Sequence, residues 1–532
     1  MKVFWKRLVG STKFWLFVVT VLQVVVYLLV GASKAYIHMD EAYSLALAQY
    51  DKIDITENED FYNTWHTNEY YQDYLAVQEK DLGDWRPVYE NQKNDVHPPL
   101  YYVLLRGVME LAPGEFSKWP GIMLNIAITV GCTVLLYAIS CKLLTKEKSA
   151  NWKALAIVAL VGLTVAAVST AVYIRMYALL TLMILLTLWL HMKIREQKEP
   201  KAVWYVAIGV TALLGVLTQY YYLFFLLGLV IVTVVRCLRD KRWSELIKYL
   251  ASLTVAGVLV LAIWPYILQH MFFGYRGQGV LSNLINLSVL FRHLLSYCQI
   301  VDYNVFHHLS LVLTAMIIGT VIYRRVKHLQ KVVLPKYFWL VFWPTVSYFG
   351  LAAIASPFME LRYVMPVCGL IFILVIYVLY EFLKGIMGEK WRNVVVCGMA
   401  AVIVAVAPIQ IGLGWMRVEL LYRDRQAVMT VVTENPETPI LYFITTENNR
   451  FLDNILPFAE AKESYLALDM LEPTSEEVAE ILQAKDLSHG LVVFVSGSQD
   501  QKKALEAVVE VTGLSQVEWV QGINTCDVYY LR

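Results

Sequence analysis

Ala35-Tyr36-Ile37-His38-Met39-Asp40-Glu41-Ala42-Tyr43-Ser44 follows the first apolar run of the chain, and Asp95-Val96-His97-Pro98-Pro99-Leu100-Tyr101-Tyr102 closes the polar stretch which that motif opens. Between residues 35 and 96 lie 14 carboxylates and only four basic residues, interleaved with Phe61, Tyr62, Trp65, Tyr70, Tyr71, Tyr74, Trp85 and Tyr89. Hydrophobic runs flank this segment on both sides. An acidic, ring-rich loop held at the face of a membrane is the place to look for chemistry.

The surroundings fix the class. The 532 residues are 58% hydrophobic and 17% charged, the composition of a membrane protein. Formal net charge is +1, which argues against a nucleic-acid partner. The seven cysteines are scattered, most of them inside apolar runs, with no CxxC and no disulfide framework. A helix needs about 20 apolar residues to cross the hydrocarbon core. Eleven runs qualify, near 14–33, 119–141, 153–172, 173–192, 203–219, 220–236, 249–268, 305–323, 337–355, 363–383 and 394–415. The first exceeds the usual length of a signal-peptide core and reads as a retained span.

Basic residues orient these spans. Lys2, Lys6, Arg7 and Lys13 precede the first, and alternate loops carry clusters such as Lys142 to Lys153, Arg236 to Lys248 and Arg324 to Lys336. The intervening set holds the acidic loop. The positive-inside rule therefore places the N-terminus in the cytoplasm and the C-terminus outside. Residues 98–111 are too short to cross; with Pro98-Pro99 before them and Pro113-Gly114 after, they read as a helix lying at the interface. A second outer loop, 269–304, carries Gly274-Tyr275-Arg276-Gly277-Gln278-Gly279, a lid-like composition. Residues 283–306 look amphipathic.

The expected architecture is thus an α-helical polytopic protein of about 11 transmembrane helices, residues 1–415, with the large outer loop 34–102. Residues 416–532 form an exoplasmic α/β domain. Short apolar runs at 440–444, 491–495, 516–520 and 527–531 alternate there with helical patterns at 475–484 and 501–512. No Gly-rich phosphate loop occurs in it.

Asp40 and Glu41 sit beside a low-dielectric boundary, where adjacent carboxylates suit general base catalysis. Acids also follow outer helix ends without catalytic purpose. His97 stands at a corner made rigid by two prolines, able to orient a carboxylate, bind a metal or contact phosphate, or simply to hold the corner. Arg175, in Arg175-Met176-Tyr177, and Arg362-Tyr363 occupy outer helix ends where a guanidinium needs an anion. A lipid phosphate would serve; snorkelling to headgroups is the plainer alternative. Gln219-Tyr220-Tyr221-Tyr222 marks a third such turn.

Three of these pieces together carry a resemblance: Asp40-Glu41 after the first span, His97-Pro98-Pro99-Leu100-Tyr101-Tyr102, and Arg175-Met176-Tyr177-Ala178-Leu179-Leu180. Over residues 10–415 the chain resembles the membrane glycosyltransferases of the C-type fold, in the family 39-like branch of protein O-mannosyltransferases and bacterial lipid A aminoarabinose transferases. The resemblance implies transfer of a sugar, with inversion, from a polyprenyl-phosphate donor to a lipid, protein or cell-wall polymer acceptor at the exoplasmic face. Asp40 would be the general base and Glu41 its support. His97, Arg175, Tyr177, Tyr221, Arg276, Arg362 and Tyr363 would contact the donor and its carrier phosphate. A divalent cation is used by some members, so metal ligands stay unassigned. The alternative from another class is a transporter or lipid-linked sugar flippase, which calls for polar positions near the bilayer midplane and repeated halves; neither is evident in the sequence.

Overall fold

A computed structural model describes residues 10–51, 54–145, 147, 149–273, 287–412, 425–448, 450–497, 500–523 and 526–532. Two compact units emerge: residues 1–29, 92–101 and 122–418 form one, and residues 30–91, 102–121 and 419–532 the other.

The first unit is made of membrane-length helices. Eight helices in the described chain are long and apolar enough to cross, or up to ten if each of two bent pairs counts as one span. They include Trp119–Leu143, Tyr177–Glu196, Tyr222–Arg239, Lys336–Ala355 and Met365–Phe382. The polytopic helical class holds. Of the eleven runs, 203–219 falls outside this number because its helix, Ala202–Thr218, has 17 residues.

One bent pair shows how side chains reshape a span. Ala150–Val161 and Val165–Val172 meet at 66°. Tyr27 Oη donates to the Gly162 carbonyl at 2.8 Å and Gln23 Nε2 to that of Val158 at 3.0 Å. A Cβ on Gly162 would lie 2.1 Å from Gln23 Nε2, so only glycine admits the glutamine at this bend. Thr164 then caps the second half through its hydroxyl. The second pair, Ser288–Phe306 and Ser310–Val326, turns through 95°, where a re-entrant amphipathic stretch was expected.

The second unit is built on a six-stranded sheet. Its strands are β1 (Trp65–Thr67), β2 (Ile440–Ile444), β3 (Glu463–Leu468), β4 (Leu491–Ser496), β5 (Val517–Ile523) and β6 (Cys526–Leu531), in the order β1-β3-β2-β4-β6-β5. The central β3-β2-β4 pairs are parallel and the others antiparallel. β2 and β4 are buried along their whole length, which is why they read as continuous apolar runs. Leu441, Phe443, Val493 and Val495 face the helices Ser475–Leu482 and Gln501–Thr512. On alternate positions Tyr442 and Phe494 meet Phe458.

β1 comes from the acidic loop, not from the C-terminal segment: Trp65 pairs with Tyr465 and Thr67 with Glu463. Trp65 Nε1 donates to the Ile481 carbonyl at 3.0 Å, and Lys485 lies over its ring. Phe61 and Tyr71 are fully buried and pack on Phe451. These rings are core of the sheet unit and are not available to stack on a sugar; Trp85 and Tyr89 remain exposed. Tyr71 also shares a hydrogen bond with Ser464 Oγ at 2.8 Å in a buried setting. Tyr71→Phe is therefore expected to lower the stability of this unit by about 1 kcal/mol or somewhat more, because Ser464 is left short of a partner; thermal unfolding of the purified protein in detergent checks it.

Candidate active site

Within the membrane unit, Asp95 is the centre of a polar cluster. His97 Nδ1 donates to Asp95 Oδ2 at 2.6 Å, and His97 is 6% exposed. The two residues sit on the non-helical corner between Arg86–Asn94 and Leu100–Met109, where Pro98-Pro99 blocks continuation of the first helix. Burial pushes the Asp95 carboxyl up, but the charges of His97 and Arg175 and the His97 hydrogen bond outweigh it and hold the group at about 2. A carboxylate depressed on folding stabilises the protein above its ordinary value and loses that contribution as pH falls. The pair's contribution is thus expected to be complete above about pH 4 and to disappear only toward pH 2. Acid unfolding measured for wild type and Asp95→Asn checks this.

A buried relay fixes the chain leading to Asp95. His270 Nε2 faces the Lys93 carbonyl at 3.1 Å, which can only accept, so Nε2 carries a proton. His270 Nδ1 lies 2.8 Å from Tyr220 Oη, which accepts from Trp264 Nε1 at 3.1 Å. Tyr220, Trp264 and His270 were not singled out from the sequence. Only Tyr220 gave a hint, through its place in a polar turn.

Arg175 is 5% exposed in the break between Val165–Val172 and Tyr177–Glu196, where its backbone N–H donates to the Tyr173 carbonyl at 2.7 Å. Arg362 lies in a short 3-10 turn before Met365–Phe382. Its Nε donates to Glu360 at 2.9 Å, and a terminal nitrogen donates to Tyr173 Oη at 3.3 Å. Tyr173 stacks on Tyr177 with ring centroids 6.1 Å apart; Tyr363 meets both Tyr177 and Tyr221, and the Arg362 guanidinium lies over Tyr363. So the structure groups Arg362, Tyr177, Tyr221 and Tyr363 through Tyr173, and groups His97 with Arg175 through Asp95. Arg276 lies outside the described residues.

Asp40 and Glu41 belong to the sheet unit, in the first turn of the helix Met39–Leu47. His38 is the N-cap: its Nδ1 accepts from the Asp40 backbone N–H at 3.0 Å, while Glu41 Oε2 accepts from the His38 backbone N–H at 2.8 Å. That is a capping box with histidine in the usual serine position. Because Nδ1 is an acceptor there, its 3.6 Å approach to Asp40 Oδ2 is proximity and not an ion pair. Glu41 turns away from Asp40 and takes the ammonium of Lys34, with both side chains fully buried. The Met39 backbone N–H donates to Asp453 Oδ1 at 3.1 Å, and Arg425 donates to the Asp453 carbonyl at 2.6 Å. Asp40 keeps 18% of its side chain exposed. Neighbours in sequence, the two carboxylates do different work.

Among the described residues no group of three His, Cys, Asp or Glu side chains could hold a metal ion.

Residues 96–266 match the sequence model of the dolichyl-phosphate-mannose-protein mannosyltransferases. That match spans about a third of the chain. The matched segment contains His97, Arg175, Tyr177 and Tyr221, together with Tyr220 and Trp264 of the relay. Asp40, Glu41, Arg362 and Tyr363 lie beyond its limits. Two crystal structures of ArnT from Cupriavidus metallidurans align along nearly the whole chain. One, bound to undecaprenyl phosphate, covers 98% of each chain at 12% identity and a TM-score of 0.42. The other, in the apo state, covers 96% of this chain and 97% of that one at 15% identity and a TM-score of 0.41. No curated protein matches the chain.

Proposed function

We propose that the protein is an integral membrane glycosyltransferase that takes a sugar from a polyprenyl-phosphate donor and places it on an acceptor at the exoplasmic face. The observation that carries this reading is the mannosyltransferase-family match over residues 96–266, which takes in the buried His97 and Arg175 grouped around Asp95. Dolichyl phosphate, in that family's description, is a polyprenyl phosphate. A phosphate ester is already a competent leaving group, so its developing charge needs cations and not a general acid. Arg175 and Arg362 supply guanidinium forks suited to phosphate oxygens. Asp40 removes the proton from the acceptor hydroxyl as that oxygen attacks the anomeric carbon; in-line displacement of the phosphate inverts the centre. Tyr177, Tyr221 and Tyr363 give the donor an aromatic surface beside those cations, and Arg276, outside the described residues, is assigned to donor contact from the sequence. Glu41 serves by holding the first turn on which Asp40 rides. The acceptor is a lipid, a protein or a wall polymer, and the N-terminus faces the cytoplasm.

Membranes carrying the protein, supplied with a polyprenyl-phosphate sugar labelled in the sugar, test the reading. Label is expected to move to a product lacking the carrier. Label that changes leaflet but stays on its carrier would instead identify a flippase.

A further inference from the structure

A slot of about 720 Å³ opens between the helices Tyr222–Arg239 and Lys336–Ala355. Its closed end is set by Gly228, where an added Cβ would lie 2.5 Å from Pro344 Cα, and by Ser347 Oγ donating to the Phe224 carbonyl at 2.8 Å. Pro344 sits inside its helix and cannot donate to the preceding turn, so the helix can bend away from its neighbour beyond this contact. The walls are Ile231, Val235, Trp343 and Val346, and Ile231, Val235 and Trp343 keep half or more of their surface uncovered. At the open end stand Arg195, Arg236, Arg239, Arg242 and Lys336, with Trp339 beside them.

The charges at this mouth do not balance. Arg236 and Arg242 share one carboxylate, Glu245, and Arg239 pairs with Asp240. Arg195 donates only weakly, at 3.4 Å, to the Lys336 carbonyl, and Lys336 lies over the Tyr337 ring. The neighbouring Glu196 is taken by Lys142 and Lys193. Five cations therefore face two carboxylates at the head of an apolar channel. Elsewhere in this unit a comparable cluster is balanced: Lys153, Lys384 and Arg392 meet on Glu147, and Lys153 and Lys384 also pair with Glu389 and Glu381.

We propose that the slot is a binding site for an anionic bilayer phospholipid, its phosphate among Arg195, Arg239 and Lys336 and one acyl chain running along Ile231 and Val235 toward Gly228. A free phosphate would leave the apolar walls without a partner. A zwitterionic lipid would bring a second cation to a mouth that already has an excess of them. Basic pockets between membrane helices recognise anionic headgroups in this way.

The full chain, purified in detergent and stripped of lipid, is titrated with dioleoyl phosphatidylglycerol or dioleoyl phosphatidylcholine and bound lipid is counted by native mass spectrometry. Phosphatidylglycerol is expected to bind about tenfold more tightly, and the double variant Arg239→Gln/Lys336→Gln to lose that preference. Both side chains are exposed, so the variant should fold, which size-exclusion chromatography verifies. Equal affinity for the two lipids in the wild type, or a preference unchanged in the folded variant, overturns the proposal. Neither result bears on sugar transfer.

Discussion

Asp40→Asn is expected to reduce sugar transfer by about 10²- to 10⁴-fold while leaving a folded protein, the range over which a positioned general base acts. The substitution is isosteric, and two contacts that Asp40 makes for the fold come from its backbone. Its N–H is taken by His38 Nδ1 and its carbonyl accepts from Ser44 Oγ at 2.7 Å. Neither changes in the variant. What is lost is a negative charge at the positive end of a helix, worth about 0.3–1 kcal/mol. The melting temperature should therefore move little while turnover collapses. Glu41→Gln gives the contrasting pattern, since Glu41 is buried on Lys34 and the cap: stability falls, and activity falls with it. Transfer assays run beside thermal unfolding on both variants separate the two roles. Normal turnover in folded Asp40→Asn would remove the base assignment.

How much of this was legible in advance depends on the range over which each feature is encoded. Membrane spans are written locally, because twenty consecutive side chains must each be apolar, and the described spans fall on the runs seen in the sequence. The parallel strands β2 and β4 were legible for the same reason. β1 was not: three residues, Trp65-His66-Thr67, make a strand only because Glu463–Leu468 pairs with them from the far end of the chain. β3 itself, reading Glu463-Ser464-Tyr465-Leu466-Ala467-Leu468, buries a serine, Ser464, and lacked a sharp apolar signal. The rings of the acidic loop showed the opposite failure. Phe61 and Tyr71 have the composition of a sugar-binding surface, yet they fill a core whose other half lies near Phe451. His97 reaches a carboxylate only two residues away, Asp95, so that contact is local in the sequence. His270 was not legible, because its partners Tyr220 and Lys93 are remote in sequence. Glu41 could have been read more closely: Lys34, seven residues earlier and just past the first span, is a cation that must find an anion once buried.

That pair gives the second large expectation. Lys34→Met should destabilise the sheet unit by roughly 3–5 kcal/mol, the cost of leaving one member of a buried ion pair without the other. Both side chains are fully buried, so water cannot replace the lost partner. Glu41 cannot swing out to solvent either without giving up the His38 N–H and with it the cap of the helix that carries Asp40. The double variant Lys34→Met/Glu41→Leu should recover a large part of the loss, because it removes the stranded charge and forfeits only the cap, about 1 kcal/mol. Glu41→Gln behaves differently, and pH reveals it. Burial lowers the Lys34 ammonium below the ordinary lysine range, opposed by the attraction of Glu41. A lysine lowered on folding is more protonated in the unfolded chain, so stability rises with pH up to the unfolded value near 10.5. Removing Glu41 takes away the opposing attraction and widens that window downward. Stability of Glu41→Gln should therefore climb more steeply between pH 7 and 10 than that of the wild type, by thermal unfolding at a series of pH values. Parallel curves would mean that Lys34 has reached another anion or solvent in the variant, and that the buried pair does not hold this turn.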